Sequence, residues 1–199
     1  NITAPVDKLF RGIQGISKGD FRTQVSIGSV DEIGALSDSF NFMSTEILRY
    51  MDEMKEKLRL EKEVEVAHLV QNAFFPDNDI TLAGMDIAAF YTPASECGGD
   101  WWGHLSLGDK TAIFIADATG HGVPAALLTA TANSSVSIIG QLAEHHPELL
   151  ESPAKMMSLI NQAVCNVGNQ ILMTFFIAVF DKNTNQIIYS NASHNPPLK

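Results

Sequence analysis

The sequence predicts an α+β protein in which a helical coiled-coil bundle precedes a sheet covered by helices. Three observations support this fold class: apolar residues at heptad spacing from 36 to 54, a Gly-Asp turn between two apolar runs at residues 108–109, and apolar helical faces after the second run. The chain has 199 residues, 45% of them hydrophobic and 18% charged, which suits one packed domain plus a smaller element.

The first predicted element is a short helix that begins just after Pro5. Its apolar positions step by three and four residues, and they are Val6, Leu9, Ile13 and Ile16. The triplet Lys-Gly-Asp at residues 18–20 ends the helix. A linker over residues 21–30 follows, with Val25 and Ile27 as isolated apolar anchors.

A longer second helix carries a heptad seam formed by Leu36, Phe40, Met43, Ile47, Tyr50 and Met54. Two such helices joined by a linker cannot bury their seams within one chain. We therefore expect a homodimer whose four helices form a parallel bundle. The seam loses its register at Lys57 and Glu61, where a coiled coil is over- or underwound. This joint is either a regulatory hinge or a solvated stretch of helix without a switching role.

The second part of the chain begins with a predicted strand from Met85 to Thr92, and a hairpin that turns at residues 108–109 follows. In a hairpin with a two-residue loop, residues equidistant from the turn face each other. Asp100 is therefore expected to lie opposite Asp117.

Opposed aspartates have Cβ atoms about 5 Å apart, and two carboxylates at that distance repel each other. Residues 77–109 contain no Lys or Arg, so a divalent cation is the simplest source of compensating charge. Oxygen ligands favour Mg²⁺ or Mn²⁺ over zinc. The sequence therefore predicts a metal site at Asp100 and Asp117.

Two helices and two strands are predicted after the hairpin, which makes the order βββααββ. The first helix opens at Val123 and Pro124, and its N-terminus is expected to bind phosphate where Gly120 and Gly122 let the backbone approach closely. The second helix is capped by Ser152. The strands span residues 172–180 and 186–191.

Charge and cysteine content narrow the function classes. Residues 76–199 hold 4 basic and 11 acidic residues, so nucleic acid is not an expected ligand. Cys97 and Cys165 form no metal-binding pair, and we expect both to be buried in a protein of the reducing cytosol. The longest apolar run, residues 171–180, is too short to span a bilayer, so the chain itself is not expected to be transmembrane.

The N-terminal residues resemble the HAMP signalling domain. The resemblance rests on Pro5, on residues 19–20 (Gly-Asp), on residues 31–34 (Asp-Glu-Ile-Gly) and on residues 40–41 (Phe-Asn). It implies a dimeric relay at residues 1–54, continued by a coiled-coil linker helix at residues 55–76.

HAMP domains follow a transmembrane helix on the cytoplasmic side. The resemblance therefore implies a soluble piece of a receptor at the cytoplasmic face of the bacterial inner membrane, with membrane contact only through an upstream segment.

Residues 77–199 resemble metal-dependent (PPM-type) protein serine/threonine phosphatases, in particular the bacterial branch that regulates sigma factors. The shared motifs are Gly-Gly-Asp at 98–100, Asp-Ala-Thr-Gly-His-Gly at 117–122, Met-Thr at 173–174 and Asn-Ala-Ser-His-Asn-Pro at 191–196. The Val-Gln pair at 70–71 and the Phe-Pro pair at 75–76 are similar to the helix that leads into that domain. The resemblance implies an αββα-type sandwich that hydrolyses phosphoserine or phosphothreonine on a regulatory protein.

In that family, two Mn²⁺ or Mg²⁺ ions activate a water for in-line attack on phosphorus, so no side chain is expected to be the nucleophile. The resemblance implies that Asp100 and Asp117 are metal ligands and that Ala118 contributes its backbone carbonyl. His121 either contacts substrate or only fixes its loop, and His194 is interpreted as structural.

This sequence departs from the family pattern in three places. Gly103 replaces a common aspartate, Thr119 stands where eukaryotic members have a histidine, and further metal-binding aspartates are expected only beyond Lys199. We therefore expect an incomplete phosphatase domain and an isolated chain that is inactive and metal-free.

Other functions stay open at this point. One is a non-catalytic signalling scaffold that binds a regulatory partner. Another is a GGDEF-type nucleotide cyclase, although Trp101 and Trp102 replace the Glu and Phe that its chemistry requires. A histidine kinase fits the architecture, with His68 on the linker helix, but the sequence pattern that surrounds a phosphorylated histidine is missing there.

Overall fold

The computed structural model describes residues 3–82, 84–93, 97–167 and 171–198. Contacts divide the chain into two compact units, Asn1–Lys62 and Glu63–Lys199. The helices are α1 (Thr3–Ser17), α2 (Glu32–Asn72), α3 (Val123–Ala143) and α4 (Pro153–Val167), with a 3-10 helix at Pro147–Glu151. The strands are β1 (Asp79–Leu82), β2 (Met85–Ala88), β3 (Asp100–Leu107), β4 (Lys110–Ala118), β5 (Met173–Asp181) and β6 (Gln186–Ala192).

The first unit has a small core between α1, the linker and α2. Leu9, Val25 and Phe40 are buried against one another, with Ile16 and Ile27 at the edge of the cluster. Both predicted linker anchors are therefore confirmed. The expected start of the first helix was wrong, because α1 already includes Thr3. Proline fits within a first helical turn, where its missing N–H has no intrahelical acceptor to lose.

The start of α2 is fixed by Asp31. Its Oδ1 accepts hydrogen bonds from the backbone N–H groups of Ile33 at 3.0 Å and Gly34 at 3.2 Å, as a capping aspartate does. The helix then continues through Lys57 and Glu61 without a break, so the change of heptad register occurs inside regular helix.

Much of the heptad seam of α2 is exposed in the single chain. The exposed fractions are 51% for Leu36, 49% for Met43, 59% for Tyr50 and 57% for Met54. Phe40 differs, because it belongs to the small core. The remaining seam is an apolar face without cover in one copy of the unit.

In the second unit, four strands form one antiparallel sheet in the order β3-β4-β5-β6. The predicted hairpin is confirmed: Leu107 pairs with Lys110, Gly108 takes a positive φ of 60°, and Asp100 faces Asp117. Gly108 permits the tight turn because glycine adopts this left-handed conformation without steric cost.

Helices α3 and α4 cover one face of the sheet, as the α+β prediction requires. Trp101 and Phe114 of the sheet pack in one cluster with Leu128 of α3 and Met156 and Ile160 of α4. These residues are between 0% and 2% exposed. This packing places the end of the sheet at which β3 begins and β4 ends next to the start of α3.

The predicted strand from Met85 to Thr92 was wrong in its extent. The strand β2 ends at Ala88, where its ladder with β1, a strand that was not expected from the sequence, also ends at Asp79. Beyond this last pair, Ala89 N donates one more hydrogen bond to Asn78 O at 2.7 Å, at the end of the hairpin away from its turn. Gly84 makes the turn with a φ of 81°.

The two cysteines differ in burial. Cys97 is buried, as predicted, but Cys165 is exposed, so the prediction for Cys165 was wrong. The buried positions of α4 repeat every four residues at Met156, Ile160 and Val164. Cys165 lies one residue further, about 100° around the helix, and therefore points away from the core.

Among the described residues, α3 is long and apolar enough to cross a membrane by length and composition. This is weak evidence, since a core helix of a soluble domain passes the same test. Eight residues of α3 are buried, and Leu128, Val136 and Ile139 among them belong to the core cluster beneath the sheet. Packing against the sheet accounts for this buried side of α3, while Leu127 and Ile138 are exposed.

Candidate metal centre

Three strands bring polar side chains into one row at the edge of the sheet. Asp100 begins β3 and faces Asp117 near the end of β4, and Asp117 in turn faces Thr174 near the start of β5. The hairpin turn and the antiparallel register create this row, because they set which residues stand side by side.

The carboxylates of Asp100 and Asp117 are close enough to share a hydrogen bond. Although Asp100 lies at the surface, partial burial raises its pKa, and the negative charge of Asp117 and the hydrogen bond between the two carboxyls raise it further. His194 acts in the opposite direction and lowers the pKa of Asp100. A bound cation would stabilise the charged form of Asp100 beside the negative charge of Asp117.

The backbone of the Asp100 loop lies against the end of β4. Ala118 N donates a hydrogen bond to Gly99 O at 3.0 Å. A Cβ atom on residue 99 would lie 2.5 Å from the carbonyl oxygen of Ala118 and 3.3 Å from that of Gly120. Only glycine fits here, and its small size lets both carbonyls approach the segment that carries Asp100.

The loop between β4 and α3 is held at both of its ends. Thr119 N donates to Leu172 O at 2.8 Å, and Leu172 N donates to Thr119 Oγ1 at 3.0 Å. Gly122 N donates to Cys97 O at 3.0 Å. Gly120 and Gly122 have φ values of 91° and 81°, a left-handed conformation that favours glycine. His121 lies between them with an exposed side chain.

His194 joins the row through Thr174. The hydroxyl of Thr174 lies 2.8 Å from His194 Nδ1 and donates a long hydrogen bond of 3.4 Å to the carbonyl oxygen of Asp117. Asn191 clamps the turn that carries His194, since its side chain accepts from His194 N at 2.8 Å and donates to His194 O at 3.0 Å. A histidine nitrogen is thereby held beside the aspartate pair.

From the sequence, Thr174 has no predicted role and His194 is expected to be structural. The local signal was the Asn-Ala-Ser-His run, in which an asparagine three residues before a histidine can bind the histidine's own backbone. Which strand end this histidine would reach depends on the pairing of β5 with β6, which the sequence does not show.

The donors present fit a hard divalent cation in kind. Asp100 and Asp117 offer carboxylate oxygens, and the Ala118 carbonyl lies against Gly99, next to Asp100. Mg²⁺ and Mn²⁺ prefer such oxygen donors and retain several waters. Among the described residues no group of three or more His, Cys, Asp or Glu side chains could hold a metal, so this pair is a partial ligand set.

Two protein families match parts of the chain. Residues 1–49 match the family described as HAMP domain, and residues 108–199 match the family described as Stage II sporulation protein E (SpoIIE).

Similar curated proteins and a solved structure agree with these matches. Phosphoserine phosphatase RsbU of Bacillus subtilis (strain 168) is 28% identical over 138 residues, which cover 69% of this chain and 39% of RsbU. Protein IcfG of Synechocystis sp. is 26% identical over 222 residues, which cover 98% of this chain and 34% of IcfG. The SiaA-PP2C domain of Pseudomonas aeruginosa matches with a TM-score of 0.52 at 22% identity, over 69% of this chain and 54% of that one, and this likeness supports the fold alone.

The fold and the site define an α+β protein in which a helical module precedes an antiparallel sheet with two paired aspartates at its strand ends. The chain is thus similar to a HAMP domain over residues 1–49 and to part of the SpoIIE family over residues 108–199, and its second unit shares the fold of a PP2C domain. The HAMP domain places it in the context of a membrane-linked sensor. The chain spans less than two fifths of the length of either curated relative.

Proposed function

We propose that the protein containing this chain is a metal-dependent phosphatase that hydrolyses phosphoserine or phosphothreonine on a regulatory protein. The observation that carries the proposal is the pairing of Asp100 with Asp117 at the edge of the sheet. The similarity to phosphoserine phosphatase RsbU supports the reaction class. We assign the chain a HAMP domain at residues 1–54, a linker helix at 55–76 and the phosphatase portion at 77–199.

Asp100 and Asp117 would hold Mn²⁺ or Mg²⁺, together with the carbonyl of Ala118. Bound divalent ions supply a nucleophilic water and neutralise charge on the transferring phosphoryl group. The chain's own contribution is geometric: the register of β3 and β4 holds two carboxylates at one spacing, and Gly99 leaves room for the backbone of Ala118 beside them. Because the fold already holds these oxygen atoms in place, no further conformational entropy is lost in ordering them during the reaction.

The start of α3 would receive the phosphate. Its first N–H groups have no intrahelical partner, and the positive end of the helix dipole favours an anion there. Gly120 and Gly122 have no side chains that would block a phosphate group from reaching these N–H groups. Pro124 lies in the first helical turn. His121 is exposed in the same loop and is our candidate for a substrate contact.

The first unit would act as a dimeric relay on the cytoplasmic side of the bacterial inner membrane. The support for a dimer is the uncovered seam of α2, which a second copy of the same helix would bury. The register change at Lys57 and Glu61 is our candidate for the regulatory joint. Substitutions that restore a continuous apolar seam there should hold the output in one state.

The test measures phosphate release from a phosphoserine protein by the full-length protein with Mn²⁺ present. Asp117→Asn keeps the shape of the side chain but removes its charge, so activity should fall by about 100-fold or more. The matched control is Asp109→Asn at the opposite end of the same hairpin, which keeps the oxygen that accepts from Asn183 Nδ2 at 3.1 Å. Absence of Mn²⁺-dependent release in the unmodified protein would contradict the proposal and favour a non-catalytic scaffold.

A further inference from the structure

The last turn of α2 contains a buried polar side chain, Gln71, which is 2% exposed. Its Nε2 donates to the carbonyl oxygen of Gly98 at 2.7 Å and to the hydroxyl of Thr129 at 3.0 Å. In return, the N–H of Gly98 donates to Gln71 Oε1 at 3.2 Å. The carboxamide thus pairs with the Gly98 backbone in both directions, as a neighbouring strand would.

Gly98 lies in the segment that leads to Asp100. On its other side this segment is bound to the end of β4, where Ala118 N donates to Gly99 O at 3.0 Å, and to the loop after β4, where Gly122 N donates to Cys97 O at 3.0 Å. The residue after Asp100 is also connected to the chain just beyond α2, because Trp101 Nε1 donates to the carbonyl of Phe74 at 3.3 Å. Both flanks of Asp100 therefore hydrogen-bond to residues 71–74.

We propose that Gln71 is a positioning residue of the metal centre, whose carboxamide holds the Gly98–Asp100 segment so that Asp100 stands at the cation-binding spacing from Asp117. This inference rests on the proposed function, since it presumes a cation between the two aspartates. Gln71 acts through Gly98 and does not itself touch the metal or the substrate.

The chemistry of this position explains why an amide is required. Gly98 lies outside the regular strands and needs both a donor and an acceptor, and a buried backbone group left without a partner is costly. An aliphatic side chain offers neither, and a carboxylate lacks the donor for Gly98 O. The side-chain amide of Gln or Asn offers a donor and an acceptor side by side without any change of protonation, and Gln is the longer.

Thr129 connects the same amide to α3. Its hydroxyl accepts from Gln71 Nε2 and donates to Ala126 O at 2.8 Å, and Thr129 is 0% exposed. The helix whose N-terminus is the proposed phosphate site and the loop that carries Asp100 are thus bound to one carboxamide. A shift of Gln71 would disturb the ligand and the phosphate site together.

The test uses the full-length protein and titrates Mn²⁺ by the EPR signal of the free ion. Gln71→Met removes all three hydrogen bonds at nearly the same volume, and it should raise the Mn²⁺ dissociation constant by about tenfold or more. Asn72→Leu is the matched control, because this neighbouring amide is exposed and its partner among the described residues, His68 Nε2 at 3.0 Å, lies on the same helix. Its Mn²⁺ dissociation constant should equal that of the unmodified protein.

Two further readouts separate positioning from general stabilisation. Hydrogen exchange at the Gly98 amide should become faster in Gln71→Met and stay unchanged in Asn72→Leu. In phosphatase assays the concentration of Mn²⁺ for half-maximal activity should rise in Gln71→Met and stay unchanged in Asn72→Leu. A role in stability alone would lower the Tm and leave the Mn²⁺ constants unchanged.

If Gln71→Met does not fold, Thr129→Val tests the proposal instead, because it removes the hydrogen bond between Thr129 and the Gln71 amide. Thr129→Val should lower the affinity for Mn²⁺. Thr129→Ser keeps the hydroxyl and should therefore retain the affinity of the unmodified protein. A folded Gln71→Met, or failing that Thr129→Val, with unchanged Mn²⁺ affinity overturns the positioning role. In that case the phosphatase proposal stands as long as Asp117→Asn abolishes activity. If the unmodified protein binds no Mn²⁺, both proposals are overturned.

Discussion

Amide side chains hold irregular backbone in both units of this chain. In the second unit, Gln71 pairs with Gly98. In the first unit, Asn41 Oδ1 accepts from Val25 N at 2.8 Å and Asn41 Nδ2 donates to Val25 O at 2.8 Å. Backbone groups outside helices and sheets must find partners elsewhere, and a carboxamide provides a donor and an acceptor at once. In each case a helix thereby determines the path of the segment beside it.

His104 on β3 is the residue for which the structure predicts a pH effect. Its Nδ1 is buried without a partner among the described residues, and burial lowers the pKa of this histidine. Well above about pH 6.5 the side chain is neutral in the folded and unfolded states, so it adds no pH dependence. As the pH falls below that value, the unfolded state takes up a proton more readily, and the free energy of unfolding decreases.

The measurement is the Tm between about pH 7.5 and about pH 5.5, where His104→Asn should show a smaller loss of Tm on acidification than the unmodified chain. His145→Asn, at an exposed position, serves as the control and should retain the full loss. An equal loss of Tm in all three proteins would mean that other groups cause the acid sensitivity.

At the residue level, sequence reasoning reached the aspartates but not their supports. Asp100 and Asp117 could be paired because both lie on one hairpin with a recognisable turn. Gln71 and His194 contact the centre across separations of 27 and 20 residues, to Gly98 and Thr174. Such contacts depend on how the elements pack, so the motifs around Gln71 and His194 do not show which group each side chain meets.

At the level of elements, local signals predicted most boundaries. The hairpin at Gly108, the start of α3 at Pro124 and the start of α4 after Ser152 each have a turn or cap signal in a few residues. The predictions were wrong where the end of an element or the burial of a residue depends on a distant segment that packs against it. Strand β2 ends with its partner β1, and the burial of Cys165 depends on which side of α4 faces the sheet.

Helix α3 offers a test of the core, because two adjacent leucines on it differ in burial. Leu128 is 1% exposed and belongs to the main cluster, whereas Leu127 is 57% exposed. Leu128→Ala should therefore lower the free energy of unfolding by about 2–5 kcal/mol, while Leu127→Ala should change it by about 0.5 kcal/mol or less. Urea unfolding followed by circular dichroism measures both. Similar losses would show that α3 does not pack on the sheet through Leu128.

At the scale of the whole molecule, the two units solve the burial of apolar surface differently. The second unit covers one face of its sheet with α3 and α4 and builds a core of fully buried side chains. Among the described residues of the first unit, the hydrophobic core consists of Leu9, Val25 and Phe40 with two partly buried neighbours, which is little for an independent fold. Many of its other apolar side chains are exposed, among them most of the α2 seam, so association with a second copy is the expected source of its stability.

The dimer is therefore the last prediction, and Met43 in the middle of the seam tests it. Met43→Glu would place a charge in the buried seam of a four-helix bundle, and we expect it to raise the dimer dissociation constant by about tenfold or more. Thr45→Glu adds the same charge about 160° around the helix, at an exposed position, and should leave the constant unchanged. Sedimentation velocity over a range of protein concentrations measures both constants. A chain that stays monomeric at all concentrations, or a dimer that tolerates Met43→Glu, would refute association through this seam.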